Sequence, residues 1–236
     1  MNQDPMNNVY VQGREASGVA QFMTRVYGWM SLALAVTGFV AFYTASSEAI
    51  LSVVFGSQLA FWGLIIGTFA LVMWISAGIR SMAPTTAAAV FLLYSVMNGL
   101  LFSSIFIMYT GESIALTFFI TAGTFAAMSV YGYTTKADLS KIGSIAIMAL
   151  FGIIIASLVN YFLESETLYW IISYVGVAVF VALVAYDTQK LKDIAIHGFD
   201  GEATAKKMSI LGALTLYLDF INLFLFLLRL FGSRGN

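Results

Sequence analysis

Seven stretches of mainly apolar residues alternate along the chain with short polar connections: Tyr27–Ala45, Leu59–Ile79, Thr86–Tyr109, Ser113–Tyr133, Ile142–Leu163, Leu168–Tyr186 and Met208–Phe231. Each is about the 20 residues that a bilayer-crossing helix needs, and a helix is favoured there because lipid offers no partner for backbone N–H and C=O groups. The pattern predicts an all-α, polytopic membrane protein with seven transmembrane helices. A polar N-terminal tail at 1–25 precedes a membrane domain at 26–232 and a short C-terminal tail at 233–236. Residues 1–25 hold no short apolar core ahead of a small-residue cleavage site, so the tail is expected to be retained. Ala87–Ala89, and Gly123 with Ala126 and Ala127, offer small side chains over which helices can approach closely. Trp29, Trp62, Trp74 and Trp170 mostly fall near span ends, as an interfacial aromatic belt predicts.

Charge gives the spans a direction. Arg14 and Arg25 precede the first span, Arg80 follows the second, Lys136 and Lys141 follow the fourth, and Lys190, Lys192, Lys206 and Lys207 follow the sixth. The intervening connections hold Glu48, Glu112, Glu164 and Glu166 and no basic residue. Basic residues stay on the cytoplasmic side, so the N-terminus is expected in the cytoplasm of a multi-pass plasma (inner) membrane protein. Arg229 and Arg234 break the rule if the last span crosses, and keep it if that segment enters and returns. The length of Met208–Phe231 favours a seventh crossing.

Composition narrows the chemistry. Hydrophobic residues make up 60% of the 236 and charged ones 10%, too few charges for a soluble fold of this size. Lys and Arg number 11 against 12 Asp and Glu, so no overall field points to nucleic acid. With no Cys and His197 the one histidine, disulfides, Cys/His zinc sites, thiol nucleophiles and Ser-His-Asp chemistry are excluded. His197 sits in HGFDGEATAKK, which reads as a solvated turn. The chain is expected to be no enzyme and to hold no tightly bound cofactor.

Two acids at membrane level then stand out. An ionised carboxylate deep in a bilayer costs roughly 3 kcal/mol even on insertion scales, so such residues face a partner, water or an ion. Asp219 lies in LTLYLDFINLFLF with Gly212, Thr215 and Asn222 on its own helical face, and Asp187 closes span six in VALVAYDTQKLK. A structural acid joining two helices is the alternative to a functional one for Asp219; an interfacial acid is the alternative for Asp187. Arg80 reads equally as a headgroup anchor, yet its expected membrane face is that of Asp187, open to a shared ion pair. Asn98, Thr215 and Asn222 are candidates for a polar path, with interhelical hydrogen bonding as the other reading. Paired carboxylates can share a proton or accept a hard cation such as calcium, whose 6–8 oxygens would then include carbonyls or water. Spacing alone does not bring the pair together, because Asp219 lies roughly 16 Å into its span while Asp187 is near the surface.

The seven-span pattern, AYDTQKLK and LYLDFINLFLFLLRLFG together resemble the transmembrane Bax-inhibitor-motif family, from about Arg25 to Gly232. The resemblance implies a last helix enclosed by the other six and a pH-sensitive calcium leak. It also implies a di-aspartyl proton and calcium site at Asp187 and Asp219, with Arg80 in the closed-state network. Two departures are visible: the longer connection around HGFDGEATAKK, and Phe69 where bacterial members can carry an acid. Expected partners are the bilayer, calcium ions and protons.

Two other functional classes compete. A non-transporting regulator would bind another membrane protein through Thr188–Lys207. An intramembrane aspartyl protease would use the two acids to activate water, but Leu216-Tyr217-Leu218-Asp219 stands where such enzymes carry Gly-x-Gly-Asp.

Overall fold

The computed structural model describes residues 5–235, with side chains from Ser17 onward. Eight helices follow in order: α1 (Pro5–Ala45), α2 (Glu48–Phe55), α3 (Gln58–Gly78), α4 (Pro84–Met108), α5 (Gly111–Thr134), α6 (Ser140–Leu163), α7 (Glu166–Ile196) and α8 (Glu202–Phe231). Seven of them are long and apolar enough to cross a membrane. The exception, α2, has 8 residues and a length of only about 12 Å, so it caps the first connection without spanning. The surface is apolar where that of a soluble protein is polar, while the interior combines an apolar core with buried hydroxyls. Leu59 is 85% exposed and Phe119 71%, whereas Thr117, Thr121 and Ser95 are fully buried. A surface this apolar is one that meets lipid.

Helix ends follow local chemistry. Pro84 opens α4, where its missing N–H costs nothing. The Ser57 and Thr110 side chains accept from the Ala60 and Ser113 N–H groups in the first turns of α3 and α5. The helices outrun the apolar stretches because backbone hydrogen bonding does not require apolar side chains. Thus α7 continues past Asp187 to Ile196, and α1 begins well ahead of Tyr27, making much of the expected tail a continuation of the first span's helix; residues 1–4 and 236 lie outside the described residues.

The chain divides into two compact units, the first comprising residues 1–101 with Lys190–Leu214, the second Phe102–Gln189 with Thr215–Asn236. In the first, α1 packs on α4 where Gly99 leaves no room for a side chain: a Cβ there would come 2.8 Å from the Thr37 carbonyl oxygen. The Thr37 hydroxyl donates to the Ser95 carbonyl at 3.0 Å along the same seam. The turn after α7 is not merely solvated. The Phe199 and Phe22 rings lie 4.9 Å apart, Glu202 pairs with Arg25 and Lys206, and Lys207 donates to the Arg80 carbonyl. The long connection is thereby fastened to α1 and to the end of α3, while His197 stays exposed with its ring on the Asp193 carbonyl.

In the second unit α5 presents a buried face of Ser113, Thr117, Thr121, Phe125, Ser129 and Gly132. The expected packing residues Gly123, Ala126 and Ala127 lie outside this face; Ala126 and Ala127 are exposed and no neighbour approaches Gly123. The small side chains permitted close packing on either face, and hydroxyls went inward because lipid cannot satisfy them. The α8 helix is the most buried span, with 61% of its most apolar window covered against 11–44% for the others. It is uninterrupted, and its end is tied to the α4–α5 junction. The Thr110 N–H donates to the Ser233 carbonyl at 3.0 Å, and Tyr109 and Arg234 form an isolated antiparallel bridge. The last span is therefore one continuous helix, long and apolar enough to cross, and does not turn back.

Candidate functional site

The YDTQ segment of α7 is held from three sides. Gly132 of α5 meets the backbone of Ala185, whose carbonyl oxygen occupies the place a side chain at 132 would take. Gly143 of α6 lies against the face of the Tyr186 ring in the same way. The Gln189 amide clamps the α5–α6 connection, its oxygen accepting from the Leu139 N–H at 2.9 Å and its nitrogen donating to the Ala137 carbonyl at 2.8 Å. Anchors at 185, 186 and 189 thus fix the turn of helix that carries Asp187.

Against this turn α8 brings Asp219. The two carboxyls lie within hydrogen-bonding reach of each other, Asp219 being 5% exposed and Asp187 half-buried. Two carboxyl groups can hydrogen-bond only through a proton that one of them carries, so the pair is a proton-sharing unit whenever that bond is made. Phe220, the next residue on α8, packs on Phe118 and Phe125 of α5 with ring centroids 5.6 and 5.5 Å apart, which sets the rotation of α8 at this level. A late start of the last helix is not what joins the acids, because α8 begins at Glu202, ahead of the expected Met208.

Among the described residues, four buried oxygens of this unit have no hydrogen-bond partner: Asp219 Oδ2, Thr188 Oγ1, Thr117 Oγ1 and Ser129 Oγ. Thr121, between the last two, satisfies its hydroxyl on the Thr117 carbonyl at 2.7 Å. Unsatisfied buried oxygens are costly and point to water, a proton or a cation. Among the described residues no third His, Cys, Asp or Glu joins the two aspartates. A cation here would need hydroxyls, carbonyls or water to complete its shell.

The other expected residues are placed as follows. Arg80 is exposed just beyond α3, in the first unit, whereas both aspartates belong to the second. Asn98 is buried and donates to the Tyr94 carbonyl at 3.3 Å; Asn222 donates to the Leu218 carbonyl at 2.8 Å. Both amides thus bond the preceding turn of their own helix. Thr215 lies one turn before Asp219 on α8. Sequence reasoning missed Gln189 and the α5 hydroxyl face. The four-residue spacing of Thr117, Thr121 and Ser129 with Phe125 was the available signal for that face.

Over residues 19–236 the chain matches the family described as inhibitor of apoptosis-promoting Bax1. It is 52% identical to inner membrane protein YbhL of Escherichia coli K12 over 236 residues, covering 99% of this chain and 100% of that protein. A protein of Borreliella burgdorferi is 46% identical over 216 residues, 92% of this chain and 93% of its own. A membrane protein of Streptococcus pyogenes serotype M1 is 33% identical over 233 residues, 97% of this chain and 100% of its own.

Proposed function

The chain belongs to the Bax inhibitor family, and from that premise and the paired acids of α7 and α8 we propose a pH-sensitive calcium leak in the inner membrane. The observation that carries this reading is the contact of Asp187 with Asp219 inside a membrane-spanning unit. Two carboxyls there form a site for either a proton or a hard cation, and the two compete for the same oxygens. Acid therefore weakens cation binding at the pair. The unpartnered Thr188, Thr117 and Ser129 hydroxyls support the reading, since they are oxygens through which a partly dehydrated cation or a water file can be relayed. Thr215 and Asn222 are proposed as further members of that polar path, Asn98 as a polar-path residue of the first unit, and Arg80 as a gating residue. The location is supported by the Escherichia coli relative, an inner membrane protein.

Passive movement down a gradient suits the chain, whose sequence carries no GxxxxGK[ST] nucleotide loop. The regulator reading gains no observation of its own, because Phe199, Glu202 and Lys207 of the connecting segment are engaged within the first unit.

Reconstitution into liposomes loaded with a calcium dye tests the proposal. Wild-type flux is expected to change with pH, and Asp219→Asn to abolish that change while lowering the flux at least tenfold. Flux that is absent, or indifferent both to pH and to neutralising either aspartate, overturns it.

A further inference from the structure

At the other end of the second unit, where α8 finishes, lies a cavity of about 500 Å³ that the acid pair does not touch. Its charged lining is balanced: Arg229 and Arg234 on one hand, Glu164 and Glu166 on the other. Among the described residues neither arginine comes within 4.0 Å of either glutamate, so four charges share one cavity without neutralising each other in pairs. From this arrangement we infer that the cavity binds the headgroup of a membrane phospholipid that carries both a phosphate and a primary ammonium, as phosphatidylethanolamine does.

The charges are held in place by the backbone. Glu164 is the one described non-glycine residue in the left-handed region, at φ 49°, where its N–H donates to the Asn160 carbonyl at 2.8 Å. That conformation costs an L-residue roughly 1–2 kcal/mol, and it ends α6 at a fixed point from which the Glu164 side chain enters the cavity lining. The Ser165 N–H donates to the Asn160 side-chain oxygen at 3.0 Å and fixes the step into α7, which Glu166 opens. Arg234 is located by its bridge to Tyr109. The Arg229 guanidinium lies 5.7 Å from the centre of the Tyr169 ring and 5.2 Å from that of Phe226. Stacked on aromatic faces, a guanidinium keeps its in-plane N–H groups for a phosphate, which it can grip with two parallel hydrogen bonds.

The surroundings suit a lipid better than a free solute. Trp170 completes the cavity wall and stands 6.3 Å from Tyr174 one turn along α7, both partly exposed to the membrane. Tyr161 and Phe162, in the last turn of α6, are three-quarters exposed. Acyl chains leaving the cavity would meet this apolar surface, while the headgroup sits at the depth where Trp and Tyr gather. A primary ammonium can donate hydrogen bonds to both glutamates; a quaternary ammonium has no N–H to give, and a glycerol headgroup has no positive charge.

The full chain is purified in detergent, offered phosphatidylethanolamine, phosphatidylcholine or phosphatidylglycerol at equal amounts, and analysed by native mass spectrometry. Retention of phosphatidylethanolamine at least tenfold above the other two is expected. The preference should be lost in Arg229→Ala and in Glu166→Gln, each checked for an unchanged gel-filtration profile. Soluble phosphoethanolamine should displace the lipid where inorganic phosphate or ethanolamine alone does not. Equal retention of the three lipids by the wild type overturns the inference, whatever the variants do. Displacement by inorganic phosphate as effective as by phosphoethanolamine also overturns it, reducing the cavity to a simple anion site.

Discussion

Charges at the two ends of the second unit are handled in opposite ways. At one end Asp187 and Asp219 meet side by side with Asp219 buried, although they bear charge of the same sign. At the other, Arg229, Arg234, Glu164 and Glu166 line one cavity with opposite signs available, yet no ion pair joins them. Water decides the difference. Inside the bundle a carboxylate has no hydration to fall back on, so the acids must find each other, a proton or a cation. At the open end each charge is hydrated, direct pairing gains little, and the side chains remain available to something else.

The largest expected effect separates the two ends. Gly132→Val puts a branched side chain onto the Ala185 carbonyl and should destabilise the protein by about 3 kcal/mol, read as a lowered unfolding midpoint in detergent. Calcium flux should fall with it while the lipid preference at the other end persists in the folded fraction. Loss of both together would show the ends to be one cooperative site.

A smaller effect has the opposite sign. Glu164→Gly removes the left-handed strain and should raise the midpoint by the equivalent of about 0.5–1 kcal/mol. The same change removes one of the ligand-facing charges, so lipid selectivity should drop as stability rises. A variant that gains neither stability nor loses selectivity would show that the conformation at 164 serves neither.

The smallest effect concerns the connection that Gln189 clamps. Asp138 lies outside the spans and accepts from the Ser140 N–H at 2.9 Å. Hydrogen bonds from the Ser140 side chain and backbone, and then the charge of Lys141, hold its carboxyl below the usual 3.8. Its contribution to stability is therefore present above 3.8 and disappears as pH falls through the lower folded value. The gap in unfolding midpoint between wild type and Asp138→Ala should close on acidification, and a gap that widens would contradict the assignment. This background has to be subtracted before any pH response is credited to the acid pair.

Much of the fold was readable because spans are a matter of length and hydropathy, which the chain states residue by residue. Helix ends were less readable: α7 runs on beyond Asp187, and α2 forms in a connection too short to be noticed. Asp219 was legible through its cost, one acid in a run of Leu and Phe, whereas its contact with Asp187 depended on how two helices pass, which no one-dimensional pattern records. Gln189 looked like an ordinary polar residue at a membrane surface, and only the positions of Ala137 and Leu139 reveal what it binds. The outer cavity was hidden for the same reason. Arg229 and Arg234 were visible as violations of the charge rule, but Glu164 and Glu166 lie some 65 residues earlier in the chain.

The two glycines beside the YDTQ turn would behave differently in a genetic screen. A side chain placed at 143 collides with the Tyr186 ring, and trimming that ring to a smaller residue restores the space, so second-site revertants can arise there. A side chain at 132 collides with the main-chain carbonyl of Ala185, an atom that every amino acid supplies. No substitution at 185 can remove it. Position 132 is thus closed to local suppression, and any revertant of a Gly132 mutation must either restore glycine or come from changes that let the whole of α5 move away from α7.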